Sequence, residues 1–336
     1  MPAIRASVVV PTLGGDTLCE CLGSLASQSA RDIEIIVVDN SGARAVPEEA
    51  VARWGARLIR SGGNVGFGGA FNAAFRMTEA PFLATVNDDA VADPNWLEAL
   101  LSVMEAQPDA GMGAPCVLLY GMHTMDSAGM LICGDGTSKQ RGHGESAERF
   151  SRPEEVLLPS GAAAIYRRAM LEEIGLFDES FFLYCEDTDL GLRARWAGWK
   201  CLYVPEAVVE HHYSHSAGRA SRLKAYLVER NRIPVALKNF TALQLLGVPF
   251  VASTRYFWHT AALIRGSGKA AEFRAAGQSG WMLPWFVLKA HLAVVPHLPR
   301  LLRQRKRIRA TARLSPREFR RLVRRHTISP RQVATL

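Results

Sequence analysis

The sequence predicts an α/β fold: a mostly parallel sheet flanked by helices over residues 1–218, then a basic helical region over residues 219–336. Three observations predict it. β-branched runs alternate with apolar-periodic helical patterns through the first half. Acidic clusters stand just past the ends of predicted strands, where open α/β sheets bind ligands. Charge also divides the chain: residues 1–218 hold 16 Lys+Arg against 29 Asp+Glu, and residues 219–336 hold 24 against 3, within a net +8.

Ser7 to Val10 is a strand closed by Pro11, and the Leu13-Gly14-Gly15-Asp16 loop leads into a helix carrying Leu18, Leu22 and Leu25. Glu34 to Val38 is a second strand and Arg57 to Arg60 a third. Asp39, just past strand two, is placed to contact a ribose or base, although a plain turn explains Asp39-Asn40-Ser41-Gly42 equally. Ser61 to Asn72 (SGGNVGFGGAFN) carries five glycines, which suit close backbone approach to a ligand or a turn into a helix over Ala70 to Met77. It is neither a Walker A loop nor GxGxxG.

Pro81 to Ala90 (PFLATVNDDA) is a short strand ending in Asn87, Asp88 and Asp89, before a helix from Pro94 to Met104. Hard oxygen ligands there suit Mg²⁺ or Mn²⁺ holding a diphosphate, and an Asn/Asp turn capping the helix is the competing reading. Met112 to Leu119 is a strand. Residues 120–152 read as a hairpin near Met130 to Cys133 with a mobile loop. Leu157 to Tyr166 turns at Ser160-Gly161-Ala162 into a strand, and Arg168 to Ile174 forms a short helix.

Phe181 to Gly198 (FFLYCEDTDLGLRARWAG) is the centre of the chain. An aromatic run meets Glu186, Asp187 and Asp189, then a helix with Leu190, Leu192 and Trp196 on one side and Arg193 and Arg195 on the other. Acids at a helix start satisfy free N–H groups, which accounts for Asp189. An adjacent Glu186-Asp187 pair against an apolar wall has a raised proton affinity, which suits a general base. A strand from Lys200 to Val204 follows, then Pro205 and a histidine-rich segment with His211, His212 and His215. No zinc set is arranged there, and one neutral imidazole joining Asp89 on a divalent ion is the alternative to surface histidines.

Hydrophobic content of 48% and charged content of 21% are globular values. Six scattered cysteines without CxxC spacing and a start without a signal peptide suggest a cytoplasmic setting. Leu243 to Ile264 is a poor membrane span because it holds Arg255 and His259. Trp281 to Leu302 is apolar with two tryptophans, and Arg300 to Arg325 carries twelve Lys+Arg against Glu318. That pattern fits a peripheral segment on an anionic membrane surface. Nucleic acid is the competing partner of the basic run, but no aromatic-interleaved platform or known motif accompanies it, so no nucleic acid is expected.

Taken in order, VVVPTLGG (8–15), VVDNSG (37–42), GGNVGFGGAFN (62–72), VNDDA (86–90), SGAA (160–163), GLFDESFFLYCEDTDLGLRARWAG (175–198), PEAVVEHHYSHS (205–216) and ERNR (229–232) resemble the family 2 glycosyltransferases of GT-A fold, particularly a bacterial rhamnosyltransferase-like branch. The resemblance covers about the first 235 residues. It implies a nucleotide-diphosphate-sugar donor, contacted by Pro11, Thr12, Asp39, Asn64, Gly66, Asn87, Asp88, Ser160 and Gly161. It implies Mg²⁺ or Mn²⁺ on Asp89 and His211, with Asn87 replacing the first acid of the family's DxD motif. It implies Asp187, paired with Glu186, as catalytic base of an inverting transfer. The acceptor would be polyprenyl-linked or a glycan, and the enzyme peripheral on the inner face of the plasma membrane. A nucleotidyltransferase would use similar two-acid metal logic but lacks its basic glycine-rich signature near the N-terminus.

Overall fold

The computed structural model describes residues 3–42, 46–212, 222–266 and 282–335, so Trp281, His215 and the expected boundary at 218/219 lie outside the described residues. The chain divides into two compact units. The first comprises residues 1–130, 140–194 and 199–216, and the second residues 131–139, 195–198 and 217–336.

The first unit is an α/β layer structure. Its elements run β1 (Ala6–Thr12), α1 (Leu18–Ala26), β2 (Ile33–Asp39), α2 (Glu48–Ala52), β3 (Arg57–Arg60), α3 (Gly66–Phe75), β4 (Phe82–Val86), β5 (Ala90–Ala92), α4 (Trp96–Ala106), β6 (Ala110–Leu119) and β7 (Met125–Ser127). After a small hairpin of β8 (Met130–Ile132) and β9 (Ser138–Gln140) come β10 (Glu154–Val156), β11 (Ala163–Arg167), α5 (Arg168–Ile174), α6 (Glu186–Trp196) and β12 (Lys200–His211). Among the described residues ten strands form one sheet in the order β10-β12-β6-β11-β4-β1-β2-β3, with β5 on β12 and β7 on β6.

The sheet is mixed. β1 pairs in parallel with β2 and β4, and β2 with β3. β11 is inserted antiparallel between β4 and β6. Two reversals restore direction, so β6 and its parallel partner β12 run the same way as β4. The C-terminal ends of β1, β2, β4 and β12 therefore open on one edge, where α/β sheets take ligands. Beneath lies a core of β-branched and leucine side chains, including fully buried Val8, Val10, Val37, Leu22 and Leu25, against Trp96, Leu97, Leu100 and Leu101 of α4. Removing such area from water is the main driving term.

Residues 120–152 hold the expected hairpin, β8 with β9, and add a strand that was not foreseen: β7 lies on β6 and is wholly buried. Two expectations are corrected. The strand after Lys200 does not stop at Pro205. A bulge between Val204 and Val208 absorbs the proline, which cannot donate to a ladder, and the strand continues to His211. On α6, Arg193 and Arg195 are buried like Leu190, Leu192 and Trp196. Asp189, in the first turn of α6, is also the i,i+4 partner of Arg193 (Oδ2 to Nε, 2.9 Å), whose remaining donors reach the carbonyls of Ile174, Gly175 and Leu176.

The second unit is helical: α7 (Arg222–Asn239), α8 (Ala242–Ile264), α9 (Met282–Val294), α10 (Leu298–Ala310), α11 (Pro316–Arg325) and α12 (Pro330–Thr335). The apolar stretch ending at Leu302 is split by a 3-10 turn over Val295–His297. Trp196 stacks on Phe319 at 3.9 Å under the Arg309 guanidinium, and its indole N–H donates to Asn239 O. At the unit's centre Glu229 accepts from Arg232 and, through Oε2, from Arg255 (2.7 Å), while Asp135 Oδ2 accepts from Arg255 Nε (2.6 Å). Among the described residues no helix is long and apolar enough to cross a membrane.

Candidate active site

Four strand ends supply the polar side chains. Thr12, closing β1, donates its hydroxyl to Asp88 Oδ2 at 2.6 Å and accepts from Gly14 N–H at 2.9 Å. Pro11 lies in register with Val38 of β2. Asp39, closing β2, is buried and fully engaged. Ser41 N–H and Val46 N–H donate at 2.8 Å each, and Arg60 Nη1 lies at 3.1 Å. Burial would raise its pKa, but these donors hold it below the ordinary carboxylate value. The ion pair with Arg60 was not foreseen from sequence.

After β4 the chain turns sharply through Asn87, Asp88 and Asp89. Asn87 N–H donates to Ala162 O at 2.9 Å. Burial raises the pKa of Asp88; the Thr12 hydroxyl opposes this and the Asp89 charge adds to it. β5 then pairs with the end of β12, with Ala90 opposite His211, and this register brings His211 against Asp89. His211 Nε2 stands 3.2 Å from Asp89 Oδ1. Asn87 Nδ2 lies 3.4 Å from the same nitrogen. On the other ring nitrogen, Nδ1 meets Asp126 Oδ2 at 2.8 Å. Burial alone would lower the His211 pKa, but hydrogen bonds to Asp126 and Asp89 raise it to about 9.

His212 points elsewhere. Its ring stacks on Tyr120 with centroids 3.7 Å apart and approaches Glu20 at 3.6 Å. His211 is thus the imidazole directed at Asp89.

The Asp89 and His211 donors fit a divalent ion. One carboxylate oxygen and one imidazole nitrogen suit Mg²⁺ or Mn²⁺. The two polar atoms stand 3.2 Å apart, and among the described residues no three such side chains converge.

The Glu186-Asp187 pair opens α6 behind a strained turn. Phe182, Tyr184 and Cys185 all take positive φ, at 64°, 69° and 69°, a conformation costly for residues with a Cβ. Gly66 holds this turn. Its own φ is +75°, and a Cβ there would lie 2.0 Å from Phe182 O, the carbonyl that accepts from Phe67 N–H. A Cβ at Gly68 would meet Phe177 at 2.8 Å. Gly66 and Gly68, which open α3, therefore admit protein backbone and an aromatic ring where a Cβ would clash. Asn64, exposed, caps the same turn by accepting from Gly66 N–H at 3.0 Å.

Asp187 is half-buried. Its Oδ1 accepts from Thr188 N–H at 2.6 Å, and its Oδ2 from Gly161 N–H at 3.1 Å. Burial raises its pKa, and these donors only partly oppose it. Glu186 is buried, and its Oε2 has no hydrogen-bond partner among the described residues. Burial, then the neighbouring Asp187 charge, raises its pKa well above the usual value. Ser160 Oγ accepts from Ala162 N–H at 3.3 Å and fixes the corner. Because Gly161 binds Asp187 and the adjacent Ala162 binds Asn87, two consecutive residues join the two acidic clusters.

A family model, Glycosyl transferase family 2, matches residues 7–175. The chain belongs to glycosyltransferase family 2. Over 252 residues it is 32% identical to the N-acetylglucosaminyl-diphospho-decaprenol L-rhamnosyltransferase of Mycobacterium tuberculosis, covering 67% of this chain and 82% of that one. It is 28% identical over 228 residues to the O-antigen biosynthesis protein RfbC of Myxococcus xanthus, covering 63% of this chain and 18% of that one. These relatives put this glycosyltransferase in the rhamnosyltransferase-like branch. Its fold matches GalNAc-T7 with UDP, GalNAc and Mn²⁺, with TM-score 0.59 and 15% identity, over 89% of this chain and 58% of that longer one. It also matches residues 1–349 of S. aureus TarS, with TM-score 0.51 and 17% identity, over 94% and 91%.

Asp126 was missed from sequence. It is a lone acid in a Gly- and Ser-rich stretch, and only the pairing of β7 with β6 carries it to His211.

Proposed function

We propose that this glycosyltransferase moves L-rhamnose from dTDP-rhamnose to a polyprenyl-diphosphate-linked acceptor, with inversion and with Mg²⁺ or Mn²⁺. One observation carries the reading. A carboxylate with raised proton affinity, Asp187, is tied through Gly161 and Ala162 to the turn after β4, where Asp89 meets His211 of β12. The Mycobacterium tuberculosis relative, named for rhamnose and a decaprenol-linked acceptor, supports the donor and acceptor classes. The Mn²⁺ in the GalNAc-T7 structure supports a divalent ion.

Asp89 and His211 would hold that ion, which neutralises charge on the departing nucleoside diphosphate. Asp187 takes the acceptor hydroxyl proton as that oxygen bonds to the anomeric carbon. The bond from that carbon to the diphosphate breaks on the opposite face, so one displacement inverts the centre. Gly161 N–H and Thr188 aim the carboxylate. Pro11, Thr12, Asp39 and Asp88 shape the nucleotide side of the edge, with Asn87, Ser160 and Gly161 between it and the base.

The lipid-linked acceptor calls for a membrane, and the second unit supports peripheral binding at the inner face. Trp285, Leu288, Leu292, Val295 and Leu302 are at least half exposed at near-heptad spacing. Exposed Lys289, Arg300, Arg303, Lys306 and Arg307 accompany them, a combination suited to anionic lipid. The test is release of nucleoside diphosphate from dTDP-, UDP- and GDP-sugars, with and without Mn²⁺. Metal-dependent release from dTDP-rhamnose is expected. Release from a different donor alone would refute the rhamnose assignment, and release of inorganic diphosphate would indicate nucleotidyl transfer.

A further inference from the structure

The proposed divalent-ion site has a second layer. Asp126 is fully buried in β7, and both its carboxylate oxygens are engaged by imidazoles. Oδ2 meets His211 Nδ1 at 2.8 Å, and Oδ1 meets His143 Nδ1 at 3.0 Å. A buried carboxylate shared by two rings is costly to maintain unless it is hydrogen-bonded on both sides. The arrangement fixes the His211 ring plane, because rotating or flipping the ring would strand Asp126 Oδ2 in an apolar strand pairing. It also fixes which nitrogen keeps its hydrogen when the ring is neutral. With Nδ1–H held by Asp126, Nε2 is the nitrogen aimed at Asp89 Oδ1, 3.2 Å away, and a divalent ion bound there would take the place of the Nε2 proton.

We infer that Asp126 is a positioning residue: it sets the tautomer and orientation of His211 for divalent-ion binding, and His143 steadies it from the other side. The inference rests on the proposed ion site at Asp89 and His211. Its chemistry is general, since an imidazole that ligates a metal through one nitrogen is oriented and made more basic by a carboxylate on the other. Asp126 touches no reacting atom in this scheme.

The variant Asp126→Asn keeps the volume but offers an N–H₂ or a weaker acceptor to His211. Mn²⁺ binding to the full chain, read by loss of the free-ion electron paramagnetic resonance signal with and without dTDP, tests it. The dissociation constant for Mn²⁺ should rise roughly 10- to 100-fold in Asp126→Asn, with metal-free dTDP binding little changed. His211→Asn should weaken Mn²⁺ binding at least as much, and His143→Gln less than Asp126→Asn. Wild-type Mn²⁺ affinity in Asp126→Asn, alongside weakened binding in His211→Asn, would overturn the positioning role and leave the ion site standing. If the wild-type chain binds no Mn²⁺ even with dTDP, the ion site and the positioning role fall together. Should Asp126→Asn fail to fold, the imidazole ¹⁵N shifts of the wild-type chain with Mg²⁺ decide: a protonated Nδ1 on His211 is expected, and a protonated Nε2 would overturn the inference.

Discussion

The first unit buries Glu186 beside Asp187, and the second buries Glu229 with Asp135, yet the two pairs are treated in opposite ways. In the second unit two guanidinium groups, Arg232 and Arg255, close the network. Burial would raise Glu229, but Arg255 and Arg232 lower it to about 2. In the first unit the raised acids have backbone donors on Asp187 and, among the described residues, an unpartnered oxygen on Glu186. They follow three residues in strained conformations. Here the compensated pair belongs to the helical framework, and the uncompensated Glu186-Asp187 pair is the one proposed to carry the chemistry.

Asp187→Asn should have the largest effect. Loss of a general base lowers kcat roughly 10²- to 10⁴-fold, with donor binding retained, and stability should rise because a costly buried charge is gone. Near-normal turnover would break the comparison. Gly66→Ala comes next. Its Cβ cannot coexist with Phe182 O, so the strained turn must shift; a displacement of about 1 Å near the chemistry costs on the order of 100-fold in kcat. Unaltered kinetics would mean that the turn does not set the base.

Glu229→Gln sharpens the other side. Breaking one partner of a buried ion network costs about 3–5 kcal/mol, read by denaturant unfolding, whereas Glu186→Gln should be neutral or stabilising by about 1 kcal/mol. The pH dependence of stability follows with opposite signs. A carboxylate lowered on folding, such as Glu229, contributes stability above its unfolded pKa, and this is lost as pH falls toward 2. A carboxylate raised on folding, such as Glu186, stabilises fully below its unfolded pKa, and this is lost as pH rises through the raised value. The smallest effect concerns the surface: Arg303→Glu should weaken sedimentation with anionic liposomes by about 1 kcal/mol at low salt, and unchanged binding would argue against that face.

Much of this was legible beforehand. β1, β2, β3 and α5 follow from apolar runs and periodicity, because local pattern decides them. The acidic ends of β4 and the Glu186-Asp187 pair stood out because carboxylates so close together have few bland explanations. What escaped depends on non-local pairing. Asp126 gains meaning only from strand register, Arg60 only from lying beside Asp39, and Gly66 only from the approach of Phe182, 116 residues away in sequence. Pro205 read as a strand end because a bulge that absorbs a proline leaves no local signature.

The most direct measurement is the pH dependence of kcat/KM for transfer from dTDP-rhamnose, in the wild-type chain and in Asp187→Asn. An uncompensated base should give an acid limb displaced above the ordinary aspartate value near 3.8, and that limb should vanish from the residual rate of Asp187→Asn. A limb at or below the ordinary value, or one that persists unchanged in the variant, would contradict the assignment of Asp187 as the base.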